Sequence, residues 1–175
     1  LKSLGHNSAA YIHRLTEVMR RAYADRSAYL GDPDFYSVPI DQIVHKEYAD
    51  SLRSGISLVK ATASTDIQPG LGIDPETLIL NSGHGDKESS ETTHFSTWDR
   101  WGNVVSNTTT LNFSYGNGIS IPGAGFLMNN EMDDFSAKPG TPNAFGLLGG
   151  TANAIEPYKR PLSSMTPAIV FDEDG

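Results

Sequence analysis

The feature that most constrains the fold is the polar stretch at residues 61–91, which separates two kinds of hydrophobic pattern. It is rich in Ser, Thr, Asp, Gly and Pro, and the one apolar run in its middle is TLIL. Such a composition is typical of a long mobile connector. Helical periodicity lies in residues 1–60, and strand-like patterns lie in residues 92–175. Helices followed by strands in one chain predict an α+β fold.

One long helix is predicted near the start of the chain. Apolar residues recur at the spacing of one helical face, and Asn7 or Ser8 would cap the first turn. The helix should end near Leu30, because Gly31 suits a C-terminal cap and the nearby proline cannot continue a helix. One or two shorter helices are predicted in PIDQIVHKEYADSLRSGI, the last stopping before Gly55. The apolar face comprises Ile12, Leu15, Met19, Ala22 and Tyr23.

A β-hairpin is predicted within ETTHFSTWDRWGNVVSNTTTLN. Phe95–Asp99 and Val104–Leu111 are rich in β-branched and aromatic residues, and RWG supplies a turn. A three-residue loop with Gly102 in the left-handed conformation would place Thr92 opposite Thr110. A two-residue turn would instead send Thr110 to the other face. A facing pair of threonines is compatible with chemistry, but it more often contributes only a cross-strand hydrogen bond.

Composition and charge exclude several functions. The net charge is −8, the pI is about 4.9 and no Lys/Arg cluster is present, so nucleic acid is a poor partner. No apolar run approaches the roughly 20 residues that span a bilayer. The absence of cysteine excludes disulfides, thiol catalysis and Cys-ligated zinc. The five histidines have no metal-ligand spacing, so no metal or other cofactor is predicted.

Two clusters are candidates for binding a small charged ligand. NNEMDDF crowds Glu131, Asp133 and Asp134 among apolar neighbours, which indicates either a solvated turn or a pocket for an ammonium group. RPLSSMTP offers the hydroxyls of Ser163 and Ser164, which suit a carboxylate, although serines beside proline also form ordinary turns.

One loop and the two chain ends also bear on function. SAKPGTPNAFGLLGG contains two prolines and four glycines, and both a lid and a plain surface loop are compatible with it. The chain starts without Met a few residues before a helix, and it stops in AIVFDEDG, a strand pattern with no returning strand. We therefore expect a piece of a longer protein.

Taken together, the motifs resemble those of the γ-glutamyltranspeptidase family. They are YADRSAYLGDPDF, TTHFS, TLN, NNEMDDFSAKPG, GLLGG and KRPLSSMTP, in this order and spacing. The resemblance implies an N-terminal nucleophile hydrolase with an αββα sandwich, made as a precursor that cuts itself between Glu91 and Thr92. Residues 1–60 would then be a helical part of the large subunit, residues 61–91 the connector ending at the cleavage site, and residues 92–175 the start of the small subunit.

The resemblance also assigns roles to single residues. Thr92 would attack the γ-carbonyl of a γ-glutamyl amide such as glutathione or glutamine, activated by its own α-amine once cleavage has freed it. Water, an amino acid or a peptide would then resolve the acyl-enzyme. Thr110 would hydrogen-bond Thr92 and orient it. The substrate's α-ammonium would bind Asn112, Glu131 and Asp134, and its α-carboxylate would bind Ser163 and Ser164.

Some expected parts differ or lie elsewhere. The stretch Pro139–Gly150 resembles the family's lid, and Phe145 stands where a Tyr is frequent, so one possible hydrogen bond over the pocket is lost. The family's carboxylate-binding arginine would lie upstream of Leu1, and its Gly-Gly oxyanion donors downstream of Gly175. We therefore expect the isolated piece to be inactive and to need the remaining parts of both subunits.

Two other functions compete with γ-glutamyl transfer and hydrolysis. One is an unprocessed or inactive relative that only binds γ-glutamyl ligands. The other is a cephalosporin or poly-γ-glutamate amidase of the same family. Retention of Asp134 favours a γ-glutamyl substrate over a cephalosporin, since the cephalosporin acylases tend to lose that carboxylate. By resemblance, the protein is expected to be periplasmic or secreted.

Overall fold

A computed structural model describes residues 1–72, 92–143 and 148–171. These residues form two compact units. The first is drawn from Leu1–Gly85 and Phe135–Leu162, and the second from Asp86–Asp134 and Ser163–Gly175. The first unit contains the α-helices, and the second contains a two-stranded sheet. Helices precede strands as predicted, but Phe135–Leu162 belongs with the helices and not with the hairpin.

The described elements agree with part of an α+β domain. The α-helices are α1 (Ala9–Tyr29), α2 (Ile40–Ile43) and α3 (Lys46–Ser54), and the strands are β1 (Thr93–Trp98) and β2 (Val104–Thr109). Short 3-10 turns lie at Lys2–Leu4, Ser64–Asp66, Glu131–Asp134 and Thr151–Asn153. The two short helices predicted after α1 are confirmed, and α3 stops before Gly55 as expected.

The two ends of α1 are explained by different local chemistry. Ser8 is the N-cap, because its Oγ accepts a hydrogen bond of 3.1 Å from the Tyr11 amide. The helix ends at Leu30, whose φ of −94° is extended. The predicted end near Leu30 is confirmed, but Leu30 itself is the C-cap and Gly31 has no positive φ. A Cβ on Gly31 would lie 2.1 Å from the carbonyl oxygen of Ala152, so glycine is needed there for close packing.

The predicted apolar face of α1 is not its buried face. Ile12, Met19 and Tyr23 are each about half exposed. Two carboxylates, Glu17 and Asp25, are instead almost fully buried in this helix. Charged groups are found inside proteins only where partners satisfy them, and both have such partners.

Glu17 is the centre of a buried polar cluster. Its carboxylate accepts hydrogen bonds from Arg20 (3.2 Å) and Arg21 (2.6 Å) on the same helix. It also accepts from the amide of Thr62 (3.0 Å) and from its hydroxyl (2.7 Å). Burial raises the pKa of Glu17, but the bonds from Thr62 and Arg21 outweigh it and lower this pKa to about 2.

Asp25 forms a second attachment two turns further along α1. Its Oδ2 accepts a 2.6 Å hydrogen bond from the Tyr48 hydroxyl of α3, and its Oδ1 accepts one of 2.8 Å from the Gly70 amide. Burial and the Asp25 carboxylate together raise the pKa of Tyr48, so the phenol stays a donor. A Cβ on Gly70 would lie 2.4 Å from the Tyr48 Oη and 2.6 Å from the Leu52 Cδ2, so only glycine fits there.

These two attachments hold the first part of the predicted connector. Thr62 and Gly70 are tied to α1 at both ends of a short segment, and Ile67 between them is buried. Residues 61–72 are therefore ordered against the helix by specific hydrogen bonds. The rest of the predicted connector, residues 73–91, lies outside the described residues.

The predicted hairpin register is confirmed. Thr93 pairs with Thr109 and Trp98 with Val104, in antiparallel order. Gly102 has a φ of 86°, and the amide of Asp99 donates to the carbonyl of Asn103 at 3.0 Å, which closes a three-residue loop. Hydrogen bonds from the Asn103 side chain and from loop amides lower the pKa of Asp99 and stabilise this turn.

The buried cluster around Glu17 gives a testable expectation in the complete protein. Glu17→Gln should destabilise the fold by about 3 kcal/mol at pH 7, because it leaves two arginines and Thr62 without the charge that satisfies them. Since the pKa of Glu17 is lowered from 4.5 to about 2, its stabilisation is present above pH 4.5 and lost as the pH falls toward 2. Denaturant unfolding of both proteins across this window should show the difference shrinking.

Asp50→Asn is the matched control for this measurement. Asp50 makes an exposed ion pair of 2.9 Å with Arg53 on α3, and such pairs contribute at most about 1 kcal/mol. A Glu17→Gln variant as stable as Asp50→Asn would show that the cluster does not stabilise the first unit.

Candidate active site

The two predicted catalytic threonines lie at the open end of the hairpin. The last pair of the ladder is Thr93 with Thr109, so continuing the register by one step places Thr92 opposite Thr110. Thr92 is exposed and Thr110 is half-buried. The Oγ1 of Thr110 accepts a 3.0 Å hydrogen bond from the Asn112 amide, which fixes the hydroxyl oxygen and leaves its proton available to donate.

A histidine on the same face was not singled out by the sequence patterns. The ring of His94 hydrogen-bonds the Thr108 hydroxyl at 2.8 Å and the Ser106 hydroxyl at 3.4 Å. Because alternate residues of a strand share a face, His94 and Thr108 lie on the face that the register gives to Thr92 and Thr110. The position of His94, two residues after Thr92 in TTHFS, was the available signal.

Asn112 links the end of the hairpin to the acidic cluster. It is buried and left-handed, with a φ of 72°, and its Nδ2 donates to the Asn130 carbonyl at 3.2 Å. The Asn130 backbone amide donates a hydrogen bond to the Leu111 carbonyl (3.1 Å), and the Asn130 Oδ1 accepts one from the Phe113 amide (3.1 Å). Three hydrogen bonds thus bring two segments together that are far apart in sequence. Asn130 was not among the predicted site residues.

The acidic cluster is a 3-10 turn, Glu131–Asp134, in which the Glu131 side chain is hydrogen-bonded to that of Asp134. Burial, then a hydrogen bond and the charge of Asp134, raise the pKa of Glu131 to about 7. Within the described part of the chain, Oε1 of Glu131 is buried and accepts no hydrogen bond. A partly buried acidic pair with an unused, buried acceptor oxygen is suited to a cation that donates hydrogen bonds, such as an ammonium group.

The predicted carboxylate-binding serines lie in the same unit as the threonines. Ser163 and Ser164 begin an exposed segment without regular secondary structure, and the Oγ of Ser163 accepts a 3.1 Å hydrogen bond from the Met165 amide. This bond closes a local turn of the kind that serine forms with the second amide after it. Their role toward a substrate carboxylate stays a prediction.

Two predicted residues lie outside the described residues, Phe145 of the lid and Glu91 of the cleavage site. The described ends of the predicted lid approach each other, because the Gly140 amide donates to the Gly149 carbonyl at 3.0 Å. The described residues contain no group of His, Asp and Glu side chains placed to hold a metal ion. None of their helices has the length and apolar character needed to cross a bilayer.

Comparison with known proteins defines the class. The family model described as Gamma-glutamyltranspeptidase matches residues 1–175. The chain is 48% identical over 175 residues to the glutathione hydrolase proenzyme of Escherichia coli (strain K12), covering 100% of this chain and 28% of that protein. It is 47% identical over 169 residues to the glutathione hydrolase proenzyme of Pseudomonas aeruginosa, covering 97% of this chain and 28% of that protein.

A solved structure is also similar. The Helicobacter pylori gamma-glutamyltranspeptidase is 67% identical over 47% of this chain and 44% of its own, with a TM-score of 0.44. The chain belongs to the γ-glutamyltranspeptidase family, as the motifs predicted. It spans 28% of the length of the two curated relatives compared above.

The raised pKa of Glu131 predicts a pH dependence of stability in the complete protein. Because the folded-state pKa of Glu131 is raised from 4.5 to about 7, its contribution is fully present below pH 4.5 and is lost as the pH rises through 7. Wild type should therefore lose more thermal stability than Glu131→Gln between pH 5 and pH 8. Differential scanning fluorimetry of both proteins measures this.

Glu47→Gln on α3 is the control, since Glu47 is exposed and pairs with His45 at the surface. It should follow the wild-type curve. Parallel curves for wild type and Glu131→Gln would show that Glu131 ionises normally.

Proposed function

We propose that the protein containing this chain transfers and hydrolyses γ-glutamyl groups through an acyl-enzyme on Thr92. Membership of the family supports the reaction class, and the hairpin register supports the residue. Continued by one step, the register pairs Thr92 with Thr110. The Thr110 hydroxyl oxygen accepts a hydrogen bond from the Asn112 amide, so the hydroxyl proton is available to donate. That arrangement is the single observation that carries the assignment.

The proposed nucleophile needs a base, and its own α-amine supplies one. A threonine hydroxyl is weakly nucleophilic at its ordinary pKa and is activated when a neighbouring base takes its proton. While Thr92 is joined to Glu91, its nitrogen belongs to an amide and is not basic. Cleavage of that bond produces the amine, so the protein is proposed to be a precursor that gains activity only after cutting itself.

Catalysis then proceeds in two balanced steps. The Thr92 oxygen attacks the γ-carbonyl, the amide C–N bond breaks and the departing amine takes the proton held by the α-amine. Water or the amine of an acceptor then attacks the ester, and Thr92 recovers its proton. The hydroxyl of Thr110 holds the Thr92 oxygen in position for both attacks.

The acidic turn is proposed to recognise the substrate's α-ammonium. With no cation present, burial and the adjacent charge of Asp134 disfavour the ionised form of the partly buried Glu131 and raise its pKa. An ammonium group supplies the compensating charge, so both carboxyls ionise and accept hydrogen bonds from it. Asn112 anchors this turn through the Asn130 carbonyl. The α-carboxylate would be held by Ser163 and Ser164.

Several further features are proposed on the basis of the family. They are the αββα sandwich, donors such as glutathione and glutamine, completion of the site by the remaining parts of both subunits, and a periplasmic or secreted location. Binding without catalysis would leave the protein uncut in the first experiment below, and action on cephalosporins would favour the glutaryl amide in the second. Poly-γ-glutamate is the other alternative substrate.

Self-cleavage is tested by the intact mass of the denatured, purified complete protein. Two masses with the boundary before Thr92 are expected for wild type, and one uncut mass for Thr92→Ala, because the substitution removes the hydroxyl proposed as the nucleophile. Thr93→Ala is the matched control, since it removes the neighbouring hydroxyl, and it should still be cut. A wild-type protein that stays in one piece would favour the binding-only reading.

Substrate class is tested with a pair of amides, γ-glutamyl and glutaryl, which differ only in the α-ammonium group. Wild type should prefer the γ-glutamyl amide, and Asp134→Asn should lower kcat/KM for it about 100-fold, because a buried charge pair with the ammonium is lost. The glutaryl amide should be affected much less. An enzyme that prefers the glutaryl amide would instead resemble the acylases in its substrate class.

A further inference from the structure

One asparagine, Asn130, joins the end of the hairpin to the acidic turn. Its backbone amide donates to the Leu111 carbonyl at 3.1 Å, and its Oδ1 accepts from the Phe113 amide at 3.1 Å. Its carbonyl accepts from the Asn112 Nδ2 at 3.2 Å. The amide, the carbonyl and the side-chain oxygen of Asn130 thus each bond a different residue of the segment 111–113. All of these residues belong to the second unit.

The bonds of Asn130 close the base of a loop. Residues 112–130 leave the hairpin and return to it at Asn130, across 18 positions of sequence. Within the loop, the Asn117 amide donates to the Met128 carbonyl at 3.2 Å, and the Met128 amide donates to the Ile119 carbonyl at 2.8 Å. The returning side of the loop is therefore paired with its outgoing side, and Asn130 continues this pairing to the hairpin.

The base of the loop lies between the two groups that the proposed reaction uses. On one side, the Asn112 amide donates to the Thr110 Oγ1 at 3.0 Å. On the other side, Glu131 follows Asn130 directly, and the Asp133 amide donates to the Asn130 carbonyl at 3.3 Å. Two hydrogen bonds through Asn112 therefore connect the Thr110 hydroxyl with the backbone from which the acidic turn starts.

The spacing between these two groups matters because the donor has to reach both. In the proposed function the γ-carbonyl meets Thr92 beside Thr110, and the α-ammonium meets the acidic turn. A fixed number of carbon atoms separates these two substrate groups. A misplacement of about 1 Å can cost a factor of about 100 in rate. A site that holds the spacing rigidly therefore rejects acyl groups that are one methylene too short or too long.

We propose that Asn130 is a positioning residue that fixes the spacing between the end of the hairpin and the acidic turn, so that the enzyme selects donor acyl groups by chain length. This inference rests on the proposed function, in which the nucleophile and the ammonium site lie at those two places. Asn130 touches no substrate in this role. Its effect is on how sharply the enzyme distinguishes a γ-glutamyl group from one that differs only in length.

The test compares a γ-glutamyl amide with the β-aspartyl amide of the same amine. Both carry the α-ammonium and the α-carboxylate, and they differ by one methylene. Asn130→Ala removes the acceptor of the Phe113 amide and loosens the base of the loop. In the complete, processed enzyme it should lower the ratio of kcat/KM for the γ-glutamyl amide to that for the β-aspartyl amide about 10-fold. A loss of folded enzyme alone would lower both values together and leave the ratio unchanged.

Two further substitutions of Asn130 separate the hydrogen bond from the side chain as such. Asn130→Gln covers the case in which Asn130→Ala does not fold or cleave itself. It keeps an amide oxygen but moves it by one methylene, so it should also lower the ratio. Asn130→Asp keeps an oxygen acceptor in place for the Phe113 amide. Its added charge acts on the ammonium group of both substrates alike, so the ratio should stay near that of wild type.

Asn117→Ala is the matched control. The exposed Asn117 uses its Oδ1 to accept the Ile119 amide at 2.9 Å, which is a bond of the same kind in the same loop but away from its base. Since the substitution leaves the base of the loop intact, the ratio should stay within about twofold of wild type.

The outcomes distinguish the positioning role from the proposed function. Suppose that wild type turns over the γ-glutamyl amide and that the ratio is unchanged in both Asn130→Ala and Asn130→Gln. The positioning role is then overturned and the proposed function stands. The same holds if β-aspartyl turnover stays below detection in wild type and in both variants while γ-glutamyl turnover is retained. A wild type without γ-glutamyl turnover overturns the proposed function, and the positioning role with it.

Discussion

Buried carboxylates accepting hydrogen bonds from distant segments are the interaction on which the helical unit depends. Glu17 and Asp25 in α1 and Asp32 just after it are all almost fully buried. They accept hydrogen bonds from Thr62, Gly70 and Arg160, respectively. Each is therefore an attachment point for a different part of the chain. Since an unpartnered charge inside a protein is very costly, each carboxylate strongly favours the one arrangement that satisfies it.

The helical pattern identified α1, but the residues of its apolar face are not those that α1 buries within the described part of the chain. The apolar spacing from Ile12 to Tyr23 is real, and it predicted the helix and its N-cap. Ile12, Met19 and Tyr23 are nonetheless about half exposed in the structure. A hydrophobic pattern counts an acidic residue as a surface residue, so it cannot find a face whose buried members are acids held by partners far along the chain.

The second unit positions its candidate site mainly through the backbone. The register of one hairpin, set by a three-residue loop with a left-handed Gly102, determines which side chains share the face near Thr92. The left-handed Asn112 then turns the chain toward Asn130, and this link leads to the acidic turn. The chemistry of the turn follows from crowding, because burial and the adjacent Asp134 raise the pKa of Glu131 to about 7. The hairpin register and the acidic turn thus both belong to the site proposed for the γ-glutamyl substrate.

The sequence by itself determined the elements with local causes and the family. The N-cap of α1, the two short helices, the hairpin register and the motifs around Thr92, Glu131 and Ser163 could all be predicted, because turn chemistry, periodicity and motif spacing act over a few residues. Only the tertiary structure decided the roles of Asn130, Asp32 and Gly31. The role of Asn130 is seen only in its hydrogen bonds to Leu111 and Phe113, and that of Asp32 only in its hydrogen bonds with Arg160. The role of Gly31 is seen only in its close approach to the Ala152 carbonyl. Each of these roles is a contact between segments far apart in sequence, and no local pattern specifies which segments meet.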